Sequence, residues 1–208
     1  MENSHVISVV QKLVSGLDLG EAAVHSVTDF HAKGLHYVNL IRSPQYTAKL
    51  YFGRVGELEH NTPDGFIVNP HSHSYSFRQT VISGTLRNIV FHEGDFNEKS
   101  NSWFGADYYS PLKTAERVRM EFDEAETQMW NHSEVYGPAT GYFMRPGDIH
   151  TLQSVHPVKP LILFTEQFQT EIQPPTRIYT RTKELVDLST LYGEMSVDHL
   201  KELLDLLP

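Results

Sequence analysis

The sequence predicts a mainly β protein, a sandwich or barrel with a helix at each end. Three observations carry this. Six short runs (34–43, 46–55, 66–77, 78–91, 141–152 and 160–168) are rich in β-branched and aromatic residues and are punctuated by Gly and Pro, as strands are. Only the two ends of the chain show the three-and-four apolar spacing of a helix. The composition, 39% hydrophobic and 21% charged over 208 residues, is that of one globular domain spanning 1–208 with a real core. No internal repeat is present, which argues against a propeller or solenoid.

The elements follow in order. An N-terminal helix over about 4–17 is expected, because Val6, Val9, Val10, Leu13, Val14 and Leu17 share one face, and Gly16 and Gly20 mark its end. Runs 34–43 and 46–55 are joined by a turn at Ser43-Pro44-Gln45. Run 66–77 reads as a strand. Run 78–91 reads as two strands meeting at Gly84 in a tight bend. Residues 92–140 break the rhythm: they are polar, aromatic and mostly aperiodic, with one strand at 115–122. Such an excursion reads as a lid over a mouth, or as a solvated extension. Trp103, Tyr108, Tyr109 and Trp130 in it either line a pocket or pin the loop down. A C-terminal helix over about 196–207 is expected, with Ser196 as N-cap, Asp198 in the first turn and a stripe of Val197, Leu200, Leu203, Leu204 and Leu207.

Composition excludes several functions. Lys and Arg total 17 against 26 Asp and Glu, a net charge of −9, so nucleic acid is disfavoured as a partner. Cysteine is absent, which removes disulfides, thiolate zinc sites, iron–sulfur clusters and cysteine nucleophiles. The opening MENSHVISVVQKLVSG lacks the basic start and apolar core of a signal peptide. No run approaches the roughly 20 apolar residues of a membrane span. A cytoplasmic protein without membrane contact is expected, and the N-terminal helix and edge strands are compatible with a homodimer.

The twelve histidines hold the chemistry. His71 and His73 form HxH in a strand candidate, so both rings project from one face with Cβ atoms about 7 Å apart, close enough to converge on one ion. Gly65 precedes His71 with five residues between, and Gly84 follows His73 by eleven. Downstream stands Gly141-Tyr-Phe-Met-Arg-Pro146-Gly147-Asp-Ile-His150. These two stretches together resemble the paired motifs of the cupin superfamily, over about residues 34–168. The resemblance implies a cupin double-stranded β-helix, a jelly-roll barrel with flanking N- and C-terminal helices, and one metal held by His71, His73 and His150. The alternative is packed or surface histidines on an unrelated β fold.

One departure is informative. The glutamate expected as fourth ligand falls seven residues before Gly84, and that residue is Phe77. No carboxylate lies between His73 and Gly84. Gln79, two residues on, shares the inward face of a regular strand and suits contact with a substrate or water. Arg78 beside it points outward by alternation. A three-histidine site without carboxylate resembles the thiol dioxygenases, although their Cys–Tyr cross-link is impossible here. No motif fixes a substrate-binding arginine among Arg54, Arg78, Arg87 and Arg145. Tyr75 and Tyr142 stand near the ligand motifs, and His156 reads as a rim residue.

The leading expectation is a mononuclear non-heme Fe(II) dioxygenase acting on a small anionic metabolite, possibly a thiol, with small-molecule substrate and dioxygen as its partners and Tyr142, Gln79 and Arg78 as candidate catalytic residues. Mn, Ni or Zn in place of iron is compatible with the same ligands. Two alternatives stand beside it. One is a metal-dependent isomerase or lyase using Tyr142, Tyr75 or Glu166 as proton carrier. The other is a non-catalytic small-ligand-binding barrel.

Overall fold

The computed structural model describes residues 3–59, 62, 64–94, 101–109, 119–155, 159–169, 171, 174–184 and 191–208. Helices α1 (Asn3–Ser15) and α2 (Leu19–Val24) open the chain, and α3 (Val197–Leu204) closes it. Between them run β1 (Val27–Thr28), β2 (Leu35–Arg42), β3 (Tyr46–Gly53), β4 (Ser76–Ser83), β5 (Leu86–Glu93), β6 (Asn101–Tyr109), β7 (Arg119–Phe122), β8 (Thr127–Tyr136), β9 (Gly141–Met144), β10 (Ile149–Ser154), β11 (Leu161–Phe168), β12 (Arg177–Thr180) and β13 (Gly193–Glu194). All pairings among them are antiparallel.

One sheet has the order β13-β1-β2-β3-β11-β4-β9, the other β10-β5-β8-β6-β12. The chain crosses repeatedly between them: β3, β4, β9 and β11 belong to the first, and β5, β8 and β10 to the second. Each sheet therefore interleaves strands distant in sequence, which is the jelly-roll arrangement of a double-stranded β-helix. Residues 67–71 supply one more rung. Ile67 N–H donates to Leu152 O at 2.8 Å, and His71 and His150 exchange backbone bonds at 2.9 and 3.0 Å. On its other side this segment bonds to β12: Tyr179 N–H donates to Pro70 O and Ser72 N–H to Arg177 O, both at 2.8 Å. Since β12 pairs with β6, the second sheet closes on itself as a ring.

Three apolar layers result. The outer face of the first sheet packs under the helices, where Val10, Leu50, Phe52, Ile162, Leu200 and Leu203 are essentially buried. Ile67, Val81, Leu86, Leu161 and Leu163 fill the space between the sheets. Phe91, Trp103, Met129, Ile149 and Tyr179 fill the curl of the second sheet. A sheet buried on both faces needs apolar residues at successive positions, and this explains the unbroken Leu161–Phe164 run.

Several expectations are corrected. Run 66–77 is strand only from Ser76; upstream, His71 makes isolated bridges to His150 and Ile178, because Pro70 and the bend at Ser74 and Tyr75 interrupt a regular ladder. The described residues of the excursion 92–140 are mostly strand: β6, β7 and β8 belong to the curled second sheet. Their outward faces read as aperiodic because β8 is exposed at six of its ten positions. Of the strand expected at 115–122, only Arg119–Phe122 lies within the described residues. Helix α2 was hidden by Gly20, but Asp18 caps it, accepting from Gly20 N–H at 2.9 Å and Glu21 N–H at 3.0 Å. The C-terminal helix starts as expected, with Ser196 Oγ accepting from His199 N–H at 3.1 Å. No helix among the described residues is long and apolar enough to cross a membrane.

Candidate metal centre

The two histidine motifs meet because the backbone zips them together. Besides the His71–His150 exchange, Gly147 N–H donates to His73 O at 3.0 Å. Gly147 has φ of 85°, a left-handed turn conformation that glycine adopts without strain. The turn after Pro146 thus both aims β10 and pins the HxH segment. As a result the ligand atoms of His71, His73 and His150 all lie within 4.8 Å of one another, and His73 Nε2 stands 3.1 Å from His150 Nε2.

Each ring is oriented from behind. His71 Nδ1–H donates to Asn69 O at 2.9 Å, which fixes its tautomer because a carbonyl can only accept. His150 Nδ1 bonds Asn88 Oδ1 at 2.8 Å, and His73 Nδ1 bonds the Tyr75 hydroxyl at 3.1 Å. Gln167 Nε2 donates to the same hydroxyl at 2.9 Å. The three Nε2 atoms are left to converge with their lone pairs, as in histidine metal sites whose outer nitrogens are held by a neighbouring acceptor. Burial, with mutual repulsion among the rings for His73 and His150, lowers the pKa of all three histidines, well below the usual value for those two. Neutral imidazole, the form that binds metal, therefore prevails at neutral pH. The donor set fits one transition-metal ion.

Beside this group opens a cavity of about 360 Å³. Its wall is apolar at Leu35, Ile67, Leu161 and Leu163, and polar at Gln79, Thr165, Gln167 and Tyr75. Its described lining contains no Asp, Glu, Lys or Arg. Phe77 stands where the missing carboxylate was expected, with its ring 4.9 Å from His73 and 5.3 Å from His150. Burial raises the Tyr75 pKa, so its hydroxyl stays protonated.

Gln79 is 5% exposed and faces the cavity; its Nε2 donates to Thr165 Oγ1 at 3.0 Å, and its Oε1 accepts from the Tyr142 hydroxyl. Tyr142 stands behind Gln79 rather than in the described cavity wall, with its ring 6.1 Å from His150. Arg78 is on the opposite face, half-exposed, 3.9 Å from Glu166. Glu166 in turn accepts from the Tyr46 hydroxyl at 3.0 Å. Neither joins the histidines. Arg54 pairs with Glu57 and Glu202, and Arg87 donates to Gln153, so both are engaged elsewhere. No described residue of 92–140 lines the cavity. Trp103 is core, and Trp130 stacks on His92 at 4.3 Å. The side chains of Tyr108 and Tyr109, and all of His156, lie outside the described residues.

Sequence reasoning missed His31 and Tyr192. His31 and Tyr192 both line the cavity, and the Tyr192 hydroxyl is 2.6 Å from His31 Nδ1. Both have left-handed backbones, φ 64° and 63°, which is uncommon for residues other than glycine and no motif announces it.

No family model and no curated protein matches the chain. Among solved structures, the oxalate decarboxylase of Lactobacillus farciminis is similar at 10% identity over 73% of this chain and 32% of that one, with a TM-score of 0.41. The polyketide cyclase RemF of Streptomyces resistomycificus is similar at 12% identity over 76% and 81%, TM-score 0.38. The hydroxypropylphosphonic acid epoxidase of S. wedmorenis is similar at 11% identity over 65% and 51%, TM-score 0.36, so the matched region spans about half of that protein. Strand order and side-chain geometry in this chain define it independently: it is a jelly-roll protein with a three-histidine group suited to hold a metal ion.

Proposed function

We propose that the protein is a mononuclear non-heme Fe(II) dioxygenase of cupin type, acting on a small anionic metabolite such as a thiol. The observation that carries this is the convergence of three neutral, rear-anchored imidazoles, without a carboxylate, on the wall of a cavity of about 360 Å³. Iron(II) held there would keep its full charge and offer open positions to an anionic substrate and to dioxygen. The chain's own groups do the rest. The apolar wall excludes water from the bound substrate. Gln79, held by Tyr142 and Thr165, presents its remaining amide hydrogen to the substrate. The Tyr75 hydroxyl donates towards the cavity and orients His73. Arg78, on the outer face, has no part in this.

The protonated Tyr75 beside His73 favours one second reading, a lyase or isomerase in which that hydroxyl carries a proton without oxygen. Anaerobic reconstitution with Fe(II), followed by oxygen-electrode assays over small thiols and diketones, separates the two. The expected result is one iron per chain and substrate-triggered oxygen uptake that His150→Ala abolishes. Turnover without oxygen uptake would favour the second reading. Metal retention equal in wild type and His71→Ala would remove the centre itself.

A further inference from the structure

One part of the cavity wall is a turn held by an unusual acceptor. Phe30 and His31 both line the cavity. Asp29 and His31 have left-handed backbones, φ 50° and 64°, a conformation that residues other than glycine adopt at a cost. Such a turn persists only when its surroundings over-determine it. Four hydrogen bonds do so here. Phe30 N–H donates to Leu35 O at 2.6 Å, Gly34 N–H to Asp29 Oδ1 at 2.7 Å, and Tyr192 N–H to Asp29 O at 3.1 Å. In the fourth the acceptor is a side chain on β2: Asp29 N–H donates to His36 Nδ1 at 3.2 Å.

That last bond exists in one protonation state only. An imidazole nitrogen accepts through its lone pair, so the proton of neutral His36 sits on Nε2. A second proton occupies Nδ1, sets donor against donor and breaks the bond. The ring is buried between β2 and α3, edge-on to His199 with centroids 5.0 Å apart. Its Nε2 is buried and bonds no described group, so an imidazolium there would leave a charged donor unpaired. Burial is the largest influence on the ring and lowers its pKa. His199 and Arg54 also oppose a positive charge, while Asp29 and Glu57 favour one. Glu202 of α3 is engaged by Arg54 at 3.4 Å and His199 at 3.5 Å. A released ring takes up a proton more readily than the held one. The hold on the turn is therefore complete above the ordinary histidine pKa of about 6.5 and is lost as pH falls below it.

We infer that His36 is a positioning residue for the cavity wall. In its neutral form it fixes the left-handed turn that presents Phe30 and His31. Acid frees that turn, and with it the backbone bond to Tyr192 and the contact of the Tyr192 hydroxyl with His31. The shape of the cavity thus depends on pH through a residue outside its described lining. The inference does not require that the three histidines bind metal.

The test follows backbone amide exchange at pH 7 and pH 5, corrected for intrinsic rates, in the full chain without added metal. In wild type the protection of the Asp29, Gly34 and Tyr192 amides should fall about tenfold at pH 5, the worth of one hydrogen bond, while β5 and β10 keep theirs. His36→Asn places an amide oxygen near the Nδ1 position and cannot take up a proton in this range, so it should keep the protection at both pH values. His36→Leu should lack it at both. Wild-type protection that does not change with pH, or a change that survives in His36→Asn, overturns the inference. A loss shared equally by β5 and β10 overturns it as well, because that is global unfolding. Should His36→Asn not fold, NMR titration of wild type decides. The Asp29 amide must then shift with the midpoint of the His36 ring, and a different midpoint sinks the assignment.

Discussion

At the scale of single residues, the centre depends on groups that never touch a metal. Asn88 is 3% exposed; its Oδ1 holds His150 Nδ1, and its Nδ2 donates to Met144 Sδ at 4.0 Å. Asn88→Ala should lower metal affinity about 10–100-fold with circular dichroism unchanged, and Asn88→Asp, which keeps the acceptor, should recover much of it; competition against a chromogenic chelator measures both. Lys49 makes a different prediction. Its folded-state pKa, about 8, lies below the unfolded value of 10.5, so at neutral pH its charge is carried into a less favourable place by folding. Lys49→Met should therefore stabilise the protein at pH 7 by about 1–3 kcal/mol. The gain should shrink as pH rises from 8 towards 10.5, because the folded lysine sheds its proton first. Urea titrations at pH 7 and 10 check the sign. The three converging histidines were legible in the sequence because each belongs to a local backbone pattern, an HxH spacing or a Pro-Gly turn. The pairing of Lys49 with Thr165 was not, because it depends on the register of a strand more than a hundred residues away. His31 was hidden for a similar reason: its neighbour Tyr192 is 161 residues distant.

At the scale of elements, close backbone approach fixes the short strand behind Gln79. A Cβ at Gly141 would lie 2.0 Å from Gln79 O, so any side chain there must part β9 from β4. Gly141→Ala should cost about 2–4 kcal/mol in urea unfolding and should loosen the Tyr142–Gln79 contact as well. Gly84 joins β4 to β5 at φ 78°, and a Cβ there would meet Pro160 O at 3.0 Å, so the bend expected from the sequence has both a conformational and a packing cause. Strands β2, β3, β4, β5 and β11 were readable because burial on one or both faces demands apolar, β-branched runs. Strands β6 and β8 were not. Their pairing is real, but β8 shows solvent most of its side chains, including Ser133, Glu134 and Val135 in sequence, so it carries no alternation to detect.

At the scale of the molecule, the helices and the centre sit on opposite faces of the first sheet. Leu200 and Leu203 of α3 are fully buried against that sheet's outer face, remote from the histidines. Leu203→Ala should destabilise the fold by about 2–5 kcal/mol while leaving metal stoichiometry at one per chain, measured by thermal unfolding and metal analysis. The closed second sheet has a further consequence. A sheet with two free margins can fray inward from either side, but a ring of ladders has no margin from which to begin. Arg177 reinforces the closure through Asp107, at 2.9 Å, and Asp123. The amide hydrogens of β5 and β10, bonded on both flanks, should thus be among the last to exchange with deuterated solvent. His150 is carried on one of these strands and Asn88 on the other, so the chemistry is anchored in the part of the protein that breathes least.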